Sequence, residues 1–231
     1  IKRTKEANDA KKGKVFSKYA REIAIAVKTG GGTDPEFNYK LRMIIDKARS
    51  FNMPKDNIER AIQQAQGKQD NLEIVNYEGF GPCGVAVIVE AATDNRNRTA
   101  QEIKNIFEKA GGNLGGPGSV SFNFDSKGLL VVDKEDNFEE QMLKLIDCGA
   151  EDVEEVGAEV EVYTSPDKLK DVRDRMEKSG FLIRSAELYM KPKTLQQIND
   201  PKDASKILSF VEQLGNDDDV QNVYANFDIV I

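Results

Sequence analysis

Near residue 72 the apolar pattern of the chain changes period, and that switch limits what each side of it can become. Before it, apolar residues recur every three or four positions, the repeat of an amphipathic helix; after it they alternate or run together, as strands do. Over residues 15–27, Phe16, Tyr19, Ala20, Ile23 and Val27 form one stripe that leaves Lys18, Arg21 and Lys28 largely off it, and Gly30-Gly31-Gly32 closes the helix. A second helix is expected from Asp34-Pro35-Glu36, with Phe37, Leu41, Ile44, Ile45, Ala48 and Phe51 on one face. A third is expected from Asn52-Met53-Pro54, burying Ile58, Ala61, Ile62 and Ala65 and stopping at Gly67. Residues 1–71 therefore read as an all-helical domain of small-bundle type.

Beyond the switch, 73–78 and the run Val85–Val89 read as strands, the second buried on both faces. A helix is expected over about 98–110, then a glycine-rich loop and an alternating strand over 120–124. From Leu129 a complete unit can be read: strand 129–132, helix 138–147, strands 153–156 and 160–163, helix 166–179 and strand 181–190. That β-α-β-β-α-β order is the split βαβ, or ferredoxin-like, motif. A helix over 202–214 and a strand over 220–230 cannot close a sheet alone, so they are assigned to the unit that begins at residue 73. The expected fold is multidomain α and α+β: a helical domain (1–71), a discontinuous ferredoxin-like α+β domain (72–128 plus 191–231), and a second one inserted in it (129–190).

Charge follows the same division. The 231 residues hold 33 Lys and Arg against 40 Asp and Glu, net −7, yet residues 1–70 hold 16 basic against 9 acidic side chains. A basic N-terminal segment on an acidic body suits contact with phosphates through the first and repulsion of nucleic acid by the second. The plain alternative is a solvated Lys-rich helix surface.

Composition removes several kinds of chemistry. Histidine is absent from residues 1–231, which excludes from this stretch a Ser-His-Asp triad, a Cys-His pair and an imidazole base. Cys83 and Cys148, with no CxxC, cannot build a zinc or iron–sulfur site and suit a reducing compartment. No apolar run approaches the ~18 residues of a membrane span, and no signal or transit segment is visible, so a cytoplasmic protein with no membrane contact is expected.

Gly79-Phe80-Gly81-Pro82-Cys83-Gly84 carries the letters of a dinucleotide fingerprint, but it precedes a strand where that motif opens a helix, so a hairpin-like connection is expected. Gly111–Gly118 lacks the Lys-Ser/Thr ending of a phosphate loop; it reads as a mobile loop or as a close approach to RNA. Asn95–Thr99 sits at a strand-to-helix turn, which makes it either a helix cap or a place for two guanidiniums beside an anion. Asp217-Asp218-Asp219 reads as a solvated turn, with no metal expected. No nucleophile has a base at an interpretable spacing, so neither a catalytic site nor a cofactor is expected.

Several segments together closely resemble the YebC family: 10–19 (AKKGKVFSKY), Gly30-Gly31-Gly32 leading to 52–61 (NMPKDNIERA), 77–82 (YEGFGP), 93–99 (TDNRNRT) and 111–115 (GGNLG). That family includes bacterial regulators and the mitochondrial translational activator of cytochrome c oxidase. The resemblance covers essentially the whole chain and implies a helical N-terminal domain plus two α+β domains, one inside the other. It also implies either DNA-binding transcriptional regulation or ribosome association that assists translation, notably of proline-rich stretches. Family members usually start with a short Gly-His-Ser-Lys-Trp segment, which is absent before Ile1, so the natural N-terminus is expected to lie further upstream.

The resulting expectation is a non-enzymatic, nucleic-acid-binding regulator of gene expression. Its phosphate contacts are assigned to Lys2, Arg3, Lys11, Lys12, Lys14, Lys18 and Arg21, with Lys55, Arg60, Arg96 and Arg98 as a second tier. The favoured target is the ribosome through ribosomal RNA; duplex DNA is the alternative, and a protein-interaction adaptor, whose acidic units bind a basic partner, is the second. The oligomeric state is left open, with a monomer favoured.

Overall fold

The computed structural model describes residues 2–67 and 72–230, with side chains from residue 13 onward. The chain divides into two compact units, one formed by 1–124 with 192–231 and the other by 125–191.

In the first unit, helix α1 (Lys2–Thr29) is followed by α2 (Tyr39–Ser50) and α3 (Lys55–Gly67). Their shared core is Tyr19, Ile23, Ala26, Val27, Leu41, Ile45, Ala48, Met53, Ile58 and Ala61. Helix α2 starts later than its sequence suggests. Asn38 is fully buried; its amide donates to the carbonyls of Ala26 (2.8 Å) and Gly32 (2.7 Å), and its oxygen accepts the Leu41 N–H (3.0 Å). That cap fixes the helix start, because a buried amide must have its donors and acceptor satisfied. Asp34–Phe37 is left as a turn, and Phe37 is 85% exposed rather than on the buried face. Phe51, also expected inside, is exposed, its ring tilted at 48° to that of Tyr19 with centroids 5.5 Å apart.

Strands β1 (Glu73–Phe80) and β2 (Ala86–Thr93) form an antiparallel hairpin, and α4 (Arg96–Lys109) follows. A short strand β3 (Asn113–Leu114) returns to pair with β1. Past the inserted unit come β8 (Gln196–Ile198), α7 (Pro201–Gly215), β9 (Val220–Ala225) and β10 (Phe227–Ile229). The sheet order is β3-β1-β2-β9, so the tail does complete the sheet begun at residue 73. The layout is that of the split βαβ motif, with α4 linking β2 to β3 around β1, although β1 comes first in the chain. Helices α4 and α7 pack on the face carrying Val85, Val87, Val89 and Ala91. The rings of Phe107 and Phe210 meet edge to face at 4.9 Å.

The final expected strand is two. Asn226 interrupts it, its side-chain oxygen accepting the Ala86 N–H at 2.8 Å, and β10 then pairs in parallel with β8, a strand the sequence pattern does not show. The strand expected over 120–124 is mostly a 3-10 turn over Ser121–Asn123. The reason is Glu78: its buried carboxylate accepts the N–H groups of Gly118 (3.0 Å), Val120 (3.0 Å) and Ser121 (2.9 Å), which are then lost to any ladder. Burial raises the Glu78 pKa, but these hydrogen bonds outweigh it and the net shift is downward. The glycine-rich loop is thus tied down at its end.

The second unit contains β4 (Phe124–Asp133), α5 (Phe138–Asp147), β5 (Asp152–Val156), β6 (Glu159–Thr164), α6 (Leu169–Lys178) and β7 (Ile183–Pro192), in sheet order β5-β6-β4-β7. That order is the ferredoxin-like one. Leu130, Val132, Val160 and Val162 alternate inward and are fully buried with Leu145, Val172 and Met176 of the two helices.

Candidate nucleic-acid interface

The first half of α1 has a distinctive composition. Residues 2–14 carry Lys2, Arg3, Lys5, Lys11, Lys12 and Lys14 against Glu6 and Asp9, and no large apolar side chain. Among the described side chains, those of α1 that join the helical core start at Val15. A helical stretch with no apolar face has nothing to bury. The side chains of Lys2, Arg3, Lys11 and Lys12 lie outside those described. Lys14 is exposed.

Further along α1 the basic residues turn toward the α+β part of the same unit. The Lys18 ammonium is half-buried and donates to the Gly215 carbonyl at 2.5 Å. Burial lowers its pKa, against the pull of Asp217 and Asp218. Arg21 donates to the Ala92 carbonyl at 3.1 Å and to the carboxylate of Asp219. The other oxygen of Asp219 takes Arg98 of α4 at 2.6 Å and the Thr99 hydroxyl at 2.6 Å. Asp219 is buried, its side chain 4% exposed, and its own carbonyl accepts the Ala92 N–H at 2.8 Å. Burial opposes its ionisation, but the Thr99 hydroxyl and the two guanidiniums prevail and hold the carboxyl at about 2.

Arg21 and Arg98 therefore spend charge on a common internal carboxylate, fastening α1 to the turn before β9. Sequence reasoning missed Asp219, because three consecutive aspartates read as a solvated turn; the one hint is its place beside Val220, the first buried residue of β9. Asn95–Thr99 is a helix cap, Asn95 accepting the Arg98 N–H at 3.1 Å. Arg98 also reaches Asp94 at 3.0 Å. Arg96 is exposed and lies 3.4 Å from Glu73. On α3, Lys55 pairs with Glu59 at 3.4 Å across one helical turn, and Arg60 is exposed. Exposed pairs of this kind are worth ~0.2–1 kcal/mol and yield readily to a phosphate.

Lys14, Arg21, Arg98, Glu102 and residues 216–219 line an open cleft of about 430 Å³. Carboxylate oxygens of Glu102, Asp217 and Asp219 converge there within 4.8 Å of one another. A divalent ion at that point would have to displace both guanidiniums from Asp219, so the donor set does not suit a metal.

Two family profiles match the chain: the TACO1/YebC protein N-terminal domain over residues 1–68, and the TACO1/YebC second and third domain over residues 72–227. The chain belongs to the TACO1/YebC family. Relatives include a probable transcriptional regulatory protein of Geotalea uraniireducens, 49% identical over 99% of this chain and 93% of its own length. Another, from a Geobacillus species, is 48% identical over 99% of this chain and 94% of its own length. Among solved structures, a conserved hypothetical protein from Aquifex aeolicus superposes with a TM-score of 0.88 at 46% identity, covering 96% of this chain and 93% of that one. Membership in the TACO1/YebC family accords with the α+β multidomain architecture and its helical N-terminal region. Among the described residues, no helix is long and apolar enough to cross a membrane.

Proposed function

We propose that this chain is a non-enzymatic, cytoplasmic regulator of gene expression that binds nucleic acid through the basic first half of α1. The supporting observation is the split of charge along that helix. Lys18 and Arg21 are taken up internally by Gly215 and Asp219, while Lys14 is exposed and the basic residues before it stand in a stretch without a large apolar side chain. Lys2, Arg3, Lys11, Lys12 and Lys14 form the phosphate-contacting set, and Lys55, Arg60 and Arg96 lie on exposed positions that can extend it. Arg21 and Arg98 act one step back, by setting the direction of α1.

The first target is ribosomal RNA, in a factor that assists synthesis of difficult, proline-rich stretches as the family resemblance implies. A helix half offering mainly point charges suits a folded RNA read by shape and backbone. A specific observation favours the second target, duplex DNA. Helices α2 and α3 are joined by only Phe51–Pro54, with Asn52 in the left-handed region at φ 60°, and α3 exposes Arg60, Gln63 and Gln64. These side chains suit base edges in a major groove, and the relatives' names point the same way.

Co-sedimentation with purified ribosomes across a salt series, with duplex DNA as competitor, separates the two. Binding that survives physiological salt and DNA, and is lost in the Lys11→Ala/Lys12→Ala/Lys14→Ala variant, supports the ribosome. Binding that transfers to the DNA supports transcriptional regulation. A salt slope unchanged in the triple variant, where a fall of up to about three counterion units is expected, would overturn the α1 assignment for both.

A further inference from the structure

Phe51 stands in the turn between α2 and α3 and is 55% exposed, yet the turn around it is rigid. Asn52, in the left-handed region, donates its N–H to the Arg49 carbonyl at 2.9 Å, and the Met53 N–H donates to the Ala48 carbonyl at 3.0 Å. This is the Schellman closure of a helix. Met53 is buried in the helical core at the end of that motif, so Phe51 is not needed to cover the cap. Its ring rests against Tyr19 of α1. Two helices thus fix the position of a ring that is more than half open to solvent.

A lone exposed apolar side chain is ordinary, and its surroundings decide what it can do. Residues 47–55 hold Lys47, Arg49 and Lys55 and no carboxylate. Arg49 and Lys55 are 62% and 77% exposed, and the carboxylates one turn away, Asp46 at 3.8 Å and Glu59 at 3.4 Å, hold them weakly. Tyr19, the neighbour of the ring, follows the exposed Lys14 on α1 by about 7.5 Å of helix axis. The ring therefore lies beside the end of the stretch assigned to phosphates. Phe37 is the contrast: it is more exposed, but its turn carries the exposed carboxylates of Asp34 and Glu36.

We infer that Phe51 is a stacking platform for an unpaired nucleobase, with Arg49 and Lys55 on the phosphates that flank it. The inference rests on the nucleic-acid reading of α1 and narrows it: the bound strand offers at least one base outside a duplex, next to the backbone that α1 holds. Every base has a π face, so an aromatic side chain takes a base without reading its sequence. Inside a duplex the neighbouring pairs cover both faces of a base and leave the ring nothing to stack on. A ring already fixed by Tyr19 and by a closed turn loses little freedom when it stacks. An apolar side chain of a partner protein would also cover the ring, but it would bring Arg49 and Lys55 no counter-charge.

The chain contains no tryptophan, so Phe51→Trp places a single indole in the turn as a reporter. An RNA hairpin with an unpaired loop should quench its fluorescence, whereas a fully paired RNA of equal length should bind with little quenching. A DNA hairpin of the same sequence, run in parallel, assigns the base to RNA or DNA; quenching by either supports the stack, and quenching by neither overturns it. In anisotropy titrations of the labelled RNAs, Phe51→Ala and Phe51→Leu should weaken binding of the looped RNA about ten-fold and change that of the paired RNA by less than about two-fold. Phe51→Tyr should bind as the wild type does, and Phe37→Ala should change neither affinity. Circular dichroism melts establish that each variant is folded; if Phe51→Ala is not, Phe51→Leu, which keeps apolar volume against Tyr19, carries the comparison. Equal losses on both RNAs would make the ring a general support of the domain and overturn the inference. The Lys11→Ala/Lys12→Ala/Lys14→Ala variant separates the two readings. If it weakens both RNAs while Phe51→Leu matches the wild type, only the stacking inference falls; if it weakens neither, the α1 reading falls and the quench alone decides the stack.

Discussion

The guanidinium of Arg21, on the first helix, ends on the buried carboxylate of Asp219, close to the other end of the sequence. Removing one side of such an arrangement leaves buried charge uncompensated, and typically costs ~3–5 kcal/mol. Asp219→Asn removes the buried member and leaves two part-exposed guanidiniums without it, so it should lower unfolding stability by about 2–3 kcal/mol, the linkage value of the carboxyl. In a double-mutant cycle with Arg21→Ala the losses should be less than additive, and hydrogen exchange in α1 should accelerate. Additive losses in denaturant melts would show that the two residues do not communicate.

The same carboxyl sets a pH dependence. Its folded value of about 2 lies below the unfolded value of about 3.9. The stabilisation is complete above about pH 5 and is lost as pH falls through the folded value, a swing of about 2–3 kcal/mol. Urea midpoints for wild type and Asp219→Asn should converge between about pH 5 and pH 2. A gap that stays constant over that window would contradict the assignment.

Gly81 is packed for shape. Its φ of −78° is open to any residue, but a Cβ there would stand 2.6 Å from Cε1 of Phe210. At Gly79 a Cβ would meet the Asn113 carbonyl oxygen of β3 at 2.5 Å as well as the Phe107 ring at 2.8 Å. Gly81→Ala should cost about 1–3 kcal/mol, and Phe210→Leu should recover part of that loss in the double variant. If Phe210→Leu simply adds its own cavity cost, the clash lies elsewhere.

Glu78→Gln should free the end of the glycine-rich loop. The substituted amide can turn only one oxygen toward the three N–H groups now bound to the carboxylate, a loss of about 1–3 kcal/mol. Amide exchange at Gly118, Val120 and Ser121 should rise well above that at Val87 and Val89 on the neighbouring strand. Unchanged exchange would mean that other contacts hold the loop.

Much of the fold is written in periodicity. The stripe Phe16–Val27, the alternation in the 129–190 segment and the apolar face of 202–214 give their elements to within a few residues, because long amphipathic repeats admit few alternatives. The differences fall where one polar side chain sets a boundary. Asn38 delays α2, Glu78 withdraws three donors from a strand, and Asn226 splits the last one; each satisfies backbone groups distant in sequence, which a local pattern cannot express. For the candidate site, the basic character of α1 is legible and the fastening of its later part is not, since that depends on Asp219 almost two hundred residues away. The letters GFGPCG mislead for the opposite reason: Gly79 answers to the backbone of β3 and the Phe107 ring, and Gly81 to the Phe210 ring, rather than to a phosphate.

The chain enters and leaves the inserted unit at one spot, where the Lys193 N–H donates to the Asn123 carbonyl at 2.7 Å. During synthesis this imposes an order of events. The inserted unit has all of its strands once Lys191 has emerged, whereas β2 must wait for β9 to be made before it gains its second neighbour. At ~5–20 residues per second that wait is roughly 2–7 s. For that interval one edge of the hairpin stands unpaired beside an already folded domain, and this edge is where a nascent copy is most exposed to capture by a neighbouring strand.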